Sequence, residues 1–263
     1  MKRSEVKSTL IKILKVLAVA AIAIGLWQLL YWLLVDKLEA VKSYVLPSPL
    51  GVCKSYGKLI ANNTLFAGIG RSMQRIGIGY GISVLIGGFA GMLISRFEHL
   101  GRLLRPIFLG IQTLPSVCWV PFAILWYGLA ESATVFIVVI GSALSICISV
   151  DAGIRAVNPL YIRAAATMGV KGAALYTRVI VPASVPALVS ALKQGWSFAW
   201  RALMTGEMMM SSRGIGLMLS QAREVGGINE VTAIMLVIVA ISVIIDKLVF
   251  GVLEKRAKAA QQS

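Results

Sequence analysis

Residues Arg163–Ser184 read RAAATMGVKGAALYTRVIVPAS, and this stretch indicates the fold of the chain. It carries three basic side chains and a run of small ones, and it lies between two long apolar runs. Alanines favour a helix with a thin, smooth face, and Gly169 allows the positive φ that a chain reversal requires. The pattern predicts two short helices, at Pro159–Met168 and Lys171–Arg178, on either side of Gly169.

Two interpretations of this segment are open. It is either a solvated basic loop that only sets the orientation of the chain in a membrane, or a surface on which a second protein packs. An alanine-rich helix, a central glycine and a proline exit favour the second interpretation. Pro182 and Pro186 then begin the next helix, where a missing N–H group costs little.

The composition is that of a membrane protein. Hydrophobic residues make up 58% of the 263 positions and charged residues only 14%, whereas a soluble domain carries about a quarter charged residues. The net charge of +15 is distributed between apolar runs, which is typical of membrane loops and argues against nucleic acid as a partner. A single histidine and three cysteines without metal-ligand spacing indicate no metal site, no cofactor and no catalytic centre.

Apolar runs near the ~20 residues needed to cross ~30 Å of hydrocarbon predict an all-α protein with six transmembrane helices. The runs are Val16–Val35, Ile76–Ser95, Pro106–Ala130, Ser132–Val150, Pro186–Met210 and Val231–Leu253. The third contains Pro115 and Pro121, which can bend it.

The charge distribution predicts that both termini are cytoplasmic. Residues 1–15, 96–105, 151–178 and 254–263 together carry 15 basic and 4 acidic residues. The segments on the other side, residues 36–75, 131 and 213–230, carry 8 basic and 5 acidic residues. Loops rich in lysine and arginine remain in the cytoplasm. On the outer side, Asp36–Arg75 is expected to run along the surface and to contain a short helix at Gly51–Asn62.

The second apolar run contains two pairs of glycines four residues apart, Gly77/Gly81 and Gly87/Gly91. Such pairs let helices approach closely in lipid. Packing within the chain is the simpler interpretation, and a seam between two copies of the chain is the alternative.

Arg201 and Glu207 are charged residues within the fifth apolar run. A charge at that depth costs about 2.5–3.5 kcal/mol on insertion scales, so it must face protein or water. Arg201, with Trp200 and Glu207, either lines a translocation path or takes part in structural ion pairs. Arg201 and Glu207 are six residues apart, or about 240° around a helix, and so do not share a face. Water access at a helix end is the expectation for Glu207.

The opening segment resembles the EAA loop of ABC importer permeases. That pattern is Glu-Ala-Ala, three residues, Gly, nine residues, then Ile-x-Leu-Pro; here it is matched by Arg163-Ala164-Ala165, Gly169 and Val179-Ile180-Val181-Pro182. Arg163 replaces the glutamate of the pattern. The stretches LPSPL at 46–50, TLPSVCWVPFAILWYGL at 113–129 and KQGWSFAWRALMTGEMM at 193–209 resemble the nitrate/sulfonate/taurine/bicarbonate branch of that family.

The resemblance implies a type I ABC importer permease fold in a bacterial inner (cytoplasmic) membrane. It implies a separate ATPase that grips the loop, an external substrate-binding protein, and a permease homodimer in the lipid bilayer. The loop residues implied in ATPase coupling are Arg163, Ala164, Ala165, Gly169, Val179 and Pro182. No GxxxxGK[ST] stretch is present, so the chain itself is not expected to bind nucleotide.

These inferences divide the chain into a cytoplasmic N-tail (1–15), a permease domain (16–253) and a cytoplasmic C-tail (254–263). The permease domain includes residues 151–185, here called the coupling loop. An ion-driven secondary transporter that acts without an ATPase is the main alternative, but the chain lacks matching halves and clear midplane acids. An intramembrane enzyme is disfavoured because clustered catalytic residues are missing, and a receptor or scaffold is neither suggested nor excluded.

Overall fold

The structure is a computed structural model that describes residues 15, 18, 19, 21–210 and 212–262. The predicted N-tail and the beginning of the first predicted span lie largely outside the described residues. No strand occurs in the described ranges, as expected for an all-α protein.

Short connections join the helices of the described residues. The helices are α1 (21–31), α2 (Pro49–Ala61), α3 (Thr64–Arg96), α4 (Glu98–Gln112), α5 (Val120–Tyr127), α6 (Glu131–Arg155), α7 (Pro159–Thr167), α8 (Gly172–Leu175), α9 (Val181–Met209), α10 (Ile215–Glu224), α11 (Ile228–Ile245) and α12 (Gly251–Gln262). Short π-helical segments lie at Trp32–Lys37, Tyr176–Ile180 and Asp246–Phe250, and a 3₁₀ turn at Ser116–Trp119.

Four helical segments in the described ranges are long and apolar enough to cross a membrane: Thr64–Arg96, Glu131–Arg155, Gly172–Met209 and Ile228–Ala257. These correspond to the second, fourth, fifth and sixth predicted spans, and each begins before its predicted start. All but the fifth, which ends at Met209 and not at Met210, also end after their predicted limit. The third predicted span is not one straight helix, since Glu98–Gln112 and Ser116–Tyr127 meet at 95°. It counts as a fifth span only if this bent pair crosses as one unit.

The chain divides into two compact units, one formed by the residues up to Leu65 with Leu219–Val237 and the other by Phe66–Met218 with Ile238–Ser263. In the first unit, α2 confirms the short helix predicted at Gly51–Asn62. The Ser48 side chain caps it by accepting a hydrogen bond from the Gly51 amide at 3.0 Å. The Tyr56 hydroxyl donates to the Ala233 carbonyl at 2.9 Å, and burial raises the pKa of this phenol.

The second unit is built around α6, which packs along α9. Ile137, Val138 and Ile146 of α6 and Ala199 and Leu203 of α9 are completely buried. Near the middle of α9, Lys193 forms an ion pair with Asp246 at 3.1 Å. This pair links α9 to the π-helical segment that precedes α12.

Helix α3 packs on α6 through part of its glycine pattern. A Cβ at Gly87 would collide with the Ala143 carbonyl oxygen, and one at Gly91 would lie 2.6 Å from the Cys147 carbonyl oxygen. Packing within the chain is therefore confirmed for Gly87/Gly91. The other pair, Gly77/Gly81, has no atom within 4 Å of an added Cβ.

Substitution at two adjacent glycines of α3 is expected to give opposite results. Gly87→Ala should destabilise the protein by about 1–3 kcal/mol, because the new methyl group meets backbone that cannot move aside cheaply. Gly88→Ala meets nothing within 4 Å and should be neutral or stabilising by up to about 1 kcal/mol, because alanine favours a helix over glycine. Denaturation of the two purified variants in one detergent measures the difference. Equal stabilities would show that α3 does not pack on α6 in this way.

Candidate functional site

The second unit contains a break in the helical chain at the sequence Gln112-Thr-Leu-Pro-Ser116. Helix α4 ends here, and Pro115 has an extended ψ of 142°. Proline cannot donate the backbone hydrogen bond that would continue a helix and disfavours helical geometry in the residue before it. The chain restarts as a 3₁₀ turn, and Pro121 then lies in the first turn of α5, where it is well tolerated.

A cavity of about 380 Å³ lies at this break, and we call it the Arg201 cavity. The break forms one wall, α6 contributes Ile140, Gly141 and Leu144, and α9 contributes Phe198, Arg201, Ala202 and Thr205. Ligand pockets in proteins are commonly about 300–1,000 Å³. The cavity is therefore large enough for a small solute.

Arg201 is exposed on α9 and carries the charge of this cavity. Its guanidinium carbon lies 4.4 Å from the centre of the Phe198 ring, and its Nε donates to the Ser197 carbonyl at 3.2 Å. No carboxylate in the described part of the chain pairs with it. The two terminal nitrogens of the guanidinium have no hydrogen-bond acceptor among the described residues, so they can donate to a ligand in the cavity.

Gln112, Thr113, Ser116 and Thr205 add polar side chains to the same cavity. Ser116 donates to the Thr205 hydroxyl at 3.1 Å, and Thr205 donates to the Arg201 carbonyl at 3.1 Å. The buried Gln112 side-chain oxygen has no hydrogen-bond partner among the described residues. Buried polar atoms seldom remain unpaired, so this amide is suited to a polar ligand.

Glu207 lies elsewhere, in a fully buried set of polar contacts that we call the Glu207 network. Its carboxylate accepts hydrogen bonds from the Ser72 hydroxyl at 2.8 Å to each oxygen and from the Gly216 amide at 2.9 Å. It also forms an ion pair with Arg75 at 2.9 Å. The start of α10 presents backbone N–H groups, a site where a negative charge is stabilised.

Arg75 joins the Glu207 network to two other elements. Its guanidinium contacts Glu131 at the start of α6 at 2.9 Å and the Arg213 carbonyl at 2.7 Å. Arg75 is only 3% exposed, so its predicted place in an outer surface segment is wrong. Residues 64–75 are the first three turns of α3.

The structure separates the three residues that the sequence grouped together in the fifth span. Only Arg201 lines the cavity. Trp200 is buried in a core cluster with Leu203 and Val138. Water access was predicted for Glu207, and this is wrong because its side chain is completely buried.

The coupling loop has the helix–glycine–helix form that the sequence predicted. Helix α7 is capped by Asn158, whose side chain accepts a hydrogen bond from the Leu160 amide at 2.9 Å. Gly169 follows it at φ +82°, and Gly172, a second positive-φ glycine at +61°, begins α8. The second predicted helix, Lys171–Arg178, is the short α8 followed by the π-helical segment that leads into α9.

Helix α7 presents an exposed face to solvent. Leu160 and Met168 are 65% and 81% exposed, and Ala164 lies between them on the same face. Ala165, the next residue around the helix, is buried, and Arg163 is exposed. Of the remaining predicted coupling residues, Val179 is half-buried in the π-helical segment and Pro182 is exposed in the first turn of α9.

Residues 83–258 match the profile of a family described as "Binding-protein-dependent transport system inner membrane component". The chain belongs to this family. The match covers α6, the coupling loop and α9 in full. The Arg201 cavity and the coupling loop therefore both lie within the matched residues.

Its relatives place the permease in the nitrate/sulfonate/taurine group of ABC importer permeases. It is 26% identical over 236 residues to the aliphatic sulfonates transport permease SsuC of Bacillus subtilis, covering 90% of this chain and 84% of that one. It is 24% identical over 220 residues to the taurine transport permease TauC of Escherichia coli, covering 82% and 80%. The nitrate import permease NrtB of Synechocystis is 24% identical over 260 residues, covering 95% and 91%.

Solved structures show the same fold. A chain of the MetNI methionine ABC transporter in inward-facing conformations aligns with a TM-score of 0.62 at 17% identity, covering 73% of the permease and 94% of that chain. A chain of an amino acid ABC transporter aligns with a TM-score of 0.65 at 16% identity, covering 76% and 97%. The permease thus has the fold of type I ABC importer permeases, and its family implies an ATPase and a substrate-binding protein as partners.

Proposed function

We propose that the permease conducts a small oxyanion, with nitrate, sulfonate, taurine and bicarbonate as the candidates, through a path that includes the Arg201 cavity. The observation that carries this proposal is the Arg201 guanidinium in a cavity of about 380 Å³, where no carboxylate of the described residues pairs with it. Names of the relatives support it, since they are permeases for aliphatic sulfonates, taurine and nitrate. Family membership favours this ATP-driven route over an ion-driven secondary transporter.

The chemistry of the cavity suits an oxyanion. An anion that leaves water loses its hydration, and charge-assisted hydrogen bonds from a guanidinium compensate best for that loss. The forked N–H groups of Arg201 match two oxygens of a nitrate, sulfonate or carboxylate. Hydroxyls of Ser116 and Thr205 and the amide of Gln112 line the same space and add neutral polar contacts.

Energy for transport is proposed to enter through the coupling loop. An ATPase that grips the exposed face of α7 would move this helix, and the π-helical segment Tyr176–Ile180 joins the loop directly to α9. Arg201 lies on α9, so a displacement of the loop reaches the cavity along one continuous helical segment, Gly172–Met209. A permease homodimer in a bacterial cytoplasmic membrane, with both termini cytoplasmic and substrate delivered by an external binding protein, completes the proposal.

Substitution of Arg201 tests the path. Arg201→Gln should lower ATP-dependent anion uptake by about 10- to 100-fold, because a hydrogen bond to a charged group contributes about 1.5–3 kcal/mol. The measurement is uptake of labelled nitrate, taurine, an alkanesulfonate and bicarbonate into liposomes that hold the permease with its ATPase and binding protein. Arg201→Lys should retain part of the activity, because it keeps the charge but loses the fork.

Arg223→Gln is the matched control, since Arg223 is an exposed arginine of α10 outside the cavity. It should leave uptake unchanged. Ordinary uptake by Arg201→Gln would remove Arg201 from the path. Failure of the wild-type complex to take up any of the four anions would refute the substrate class but not membership of the ABC permease family.

A further inference from the structure

A second cavity, of about 390 Å³, lies between the coupling loop and the ends of two long helices. Arg96, the last residue of α3, and Arg155, the last residue of α6, both line it. The coupling loop supplies Ile162 of α7 and Leu175 and Tyr176. We call it the loop cavity; nothing in the proposed transport path uses it.

Both arginines of the loop cavity lack an acidic partner within the described part of the chain. Arg96 lies 5.7 Å from the ring centre of its neighbour Phe97. The nearby acid Asp151 is already taken, since it pairs with Arg105 at 2.6 Å. A positive charge is favourable at the C-terminus of a helix, which explains why α3 and α6 each end in an arginine. It does not supply acceptors for most of the N–H groups of these two arginines.

The remaining walls of the loop cavity are mainly apolar. Ile154, Ile162, Leu175 and Ile180 contribute to them. The Ser95 and Tyr176 hydroxyls lie 2.7 Å apart, and each is within hydrogen-bond distance of the Met92 carbonyl, so both hydroxyl protons have an acceptor without a ligand. A ligand would therefore bond to the arginines and lay an apolar portion against the isoleucines and leucine.

We propose that the loop cavity binds a phosphate ester through Arg96 and Arg155, and that the ester is the headgroup of an anionic phospholipid. Basic pockets between membrane helices at the cytoplasmic surface suit such headgroups, and the apolar walls suit the glycerol and upper acyl chain. A bound lipid would touch α3, α6 and the π-helical segment Tyr176–Ile180 together. It would hold the coupling loop in one position against the core helices.

The test is binding of short-chain phosphatidylglycerol to the full-length permease, purified with its partner subunits and followed by native mass spectrometry. A basic side chain near a membrane surface contributes about 1 kcal/mol to attraction of an anionic lipid, or about fivefold in affinity. Arg96→Gln and Arg155→Gln should each weaken binding about fivefold, and the double variant about 25-fold. Arg96→Lys with Arg155→Lys should retain most of the binding because it keeps both charges, and recovery of the intact complex in the same mass spectra shows that each glutamine variant still folds.

Arg102→Gln is the control, since Arg102 is an exposed arginine of α4 that does not line the loop cavity. It removes the same charge from the same side of the protein and should leave binding unchanged. An equal loss in this control, or no loss in the double variant, would overturn the proposal. Separate titrations with inorganic phosphate and with glycerol 3-phosphate test a soluble source: if these bind as tightly as the lipid and with the same dependence on Arg96 and Arg155, the lipid assignment is wrong.

Discussion

Replacement of Arg75 by methionine is expected to destabilise the permease by about 3–5 kcal/mol. Arg75 is 3% exposed and Glu207 is completely buried, so removal of the arginine leaves a buried carboxylate without its counter-charge. Breaking a buried ion pair from one side has a cost of this size. The same substitution deprives the Arg213 carbonyl and Glu131 of their hydrogen-bond donor. Denaturation of the purified chain in detergent measures the loss.

Two companion variants identify the cause of that loss. Arg71→Met removes an arginine one turn earlier on α3 that is 54% exposed and 3.8 Å from Glu131, and it should cost less than about 1 kcal/mol. Arg75→Met combined with Glu207→Gln should be more stable than Arg75→Met alone, because the neutral amide no longer needs a counter-charge and can still accept from the Gly216 amide. If Arg75→Met were as mild as Arg71→Met, the Glu207 network would not contribute to the fold.

Arg75 shows why part of the fold was missed from sequence. The predicted spans are uninterrupted apolar runs. Arg71, Gln74 and Arg75 are polar, so the predicted second span began only after them, at Ile76. Arg75 is compatible with a buried helix only because Glu207, 132 residues later in the chain, neutralises it. A local pattern holds no information about a partner so distant. A useful sequence signal would have been a buried acid such as Glu207, which requires a basic partner on another helix.

The broken third span was predicted only in part. Pro115 and Pro121 indicated a bend, but its size of 95° depends on the extended geometry at Pro115. Arg201, which was expected to face protein or water, lines a cavity. The structure places Arg201 at a cavity and Glu207 in a buried ion pair with Arg75, as their separation of about 240° around α9 indicated; whether either residue lines the translocation path stays a prediction.

The coupling loop was predicted more closely, because its form depends on local chemistry. An asparagine cap, short apolar and alanine-rich helices and a positive-φ glycine all act within a few residues. What the sequence could not supply is the partner of the exposed face of α7. Whether that face binds an ATPase has to be measured.

Gly169→Val is expected to reduce uptake by the reconstituted complex at least tenfold. Gly169 has φ +82° and nothing within 4 Å of an added Cβ. A valine side chain would therefore clash with no neighbour, but its backbone would have to adopt an unfavourable positive φ. A β-branched residue in that region is a genuine outlier and costs of order 1–3 kcal/mol. The loop can relieve this strain by moving α7 relative to α9, which would misplace the surface proposed to meet the ATPase. The measurements are substrate uptake, substrate-stimulated ATP hydrolysis and co-purification of the ATPase.

Gly169→Asn is the matched control, because asparagine tolerates positive φ far better than valine. It should keep more than half of the uptake, although it is the larger change in polarity at an exposed position. The melting temperature of the permease alone should differ little between the two variants, because movement of α7 relieves the strain of the valine variant and the loop glycine packs against no core residue. Loss of uptake in the valine variant alone, with the protein folded, would locate the defect in the shape of the coupling loop. Ordinary uptake in Gly169→Val would mean that the position of α7 does not govern transport, and the proposed route from the ATPase through the loop and α9 would have to be abandoned.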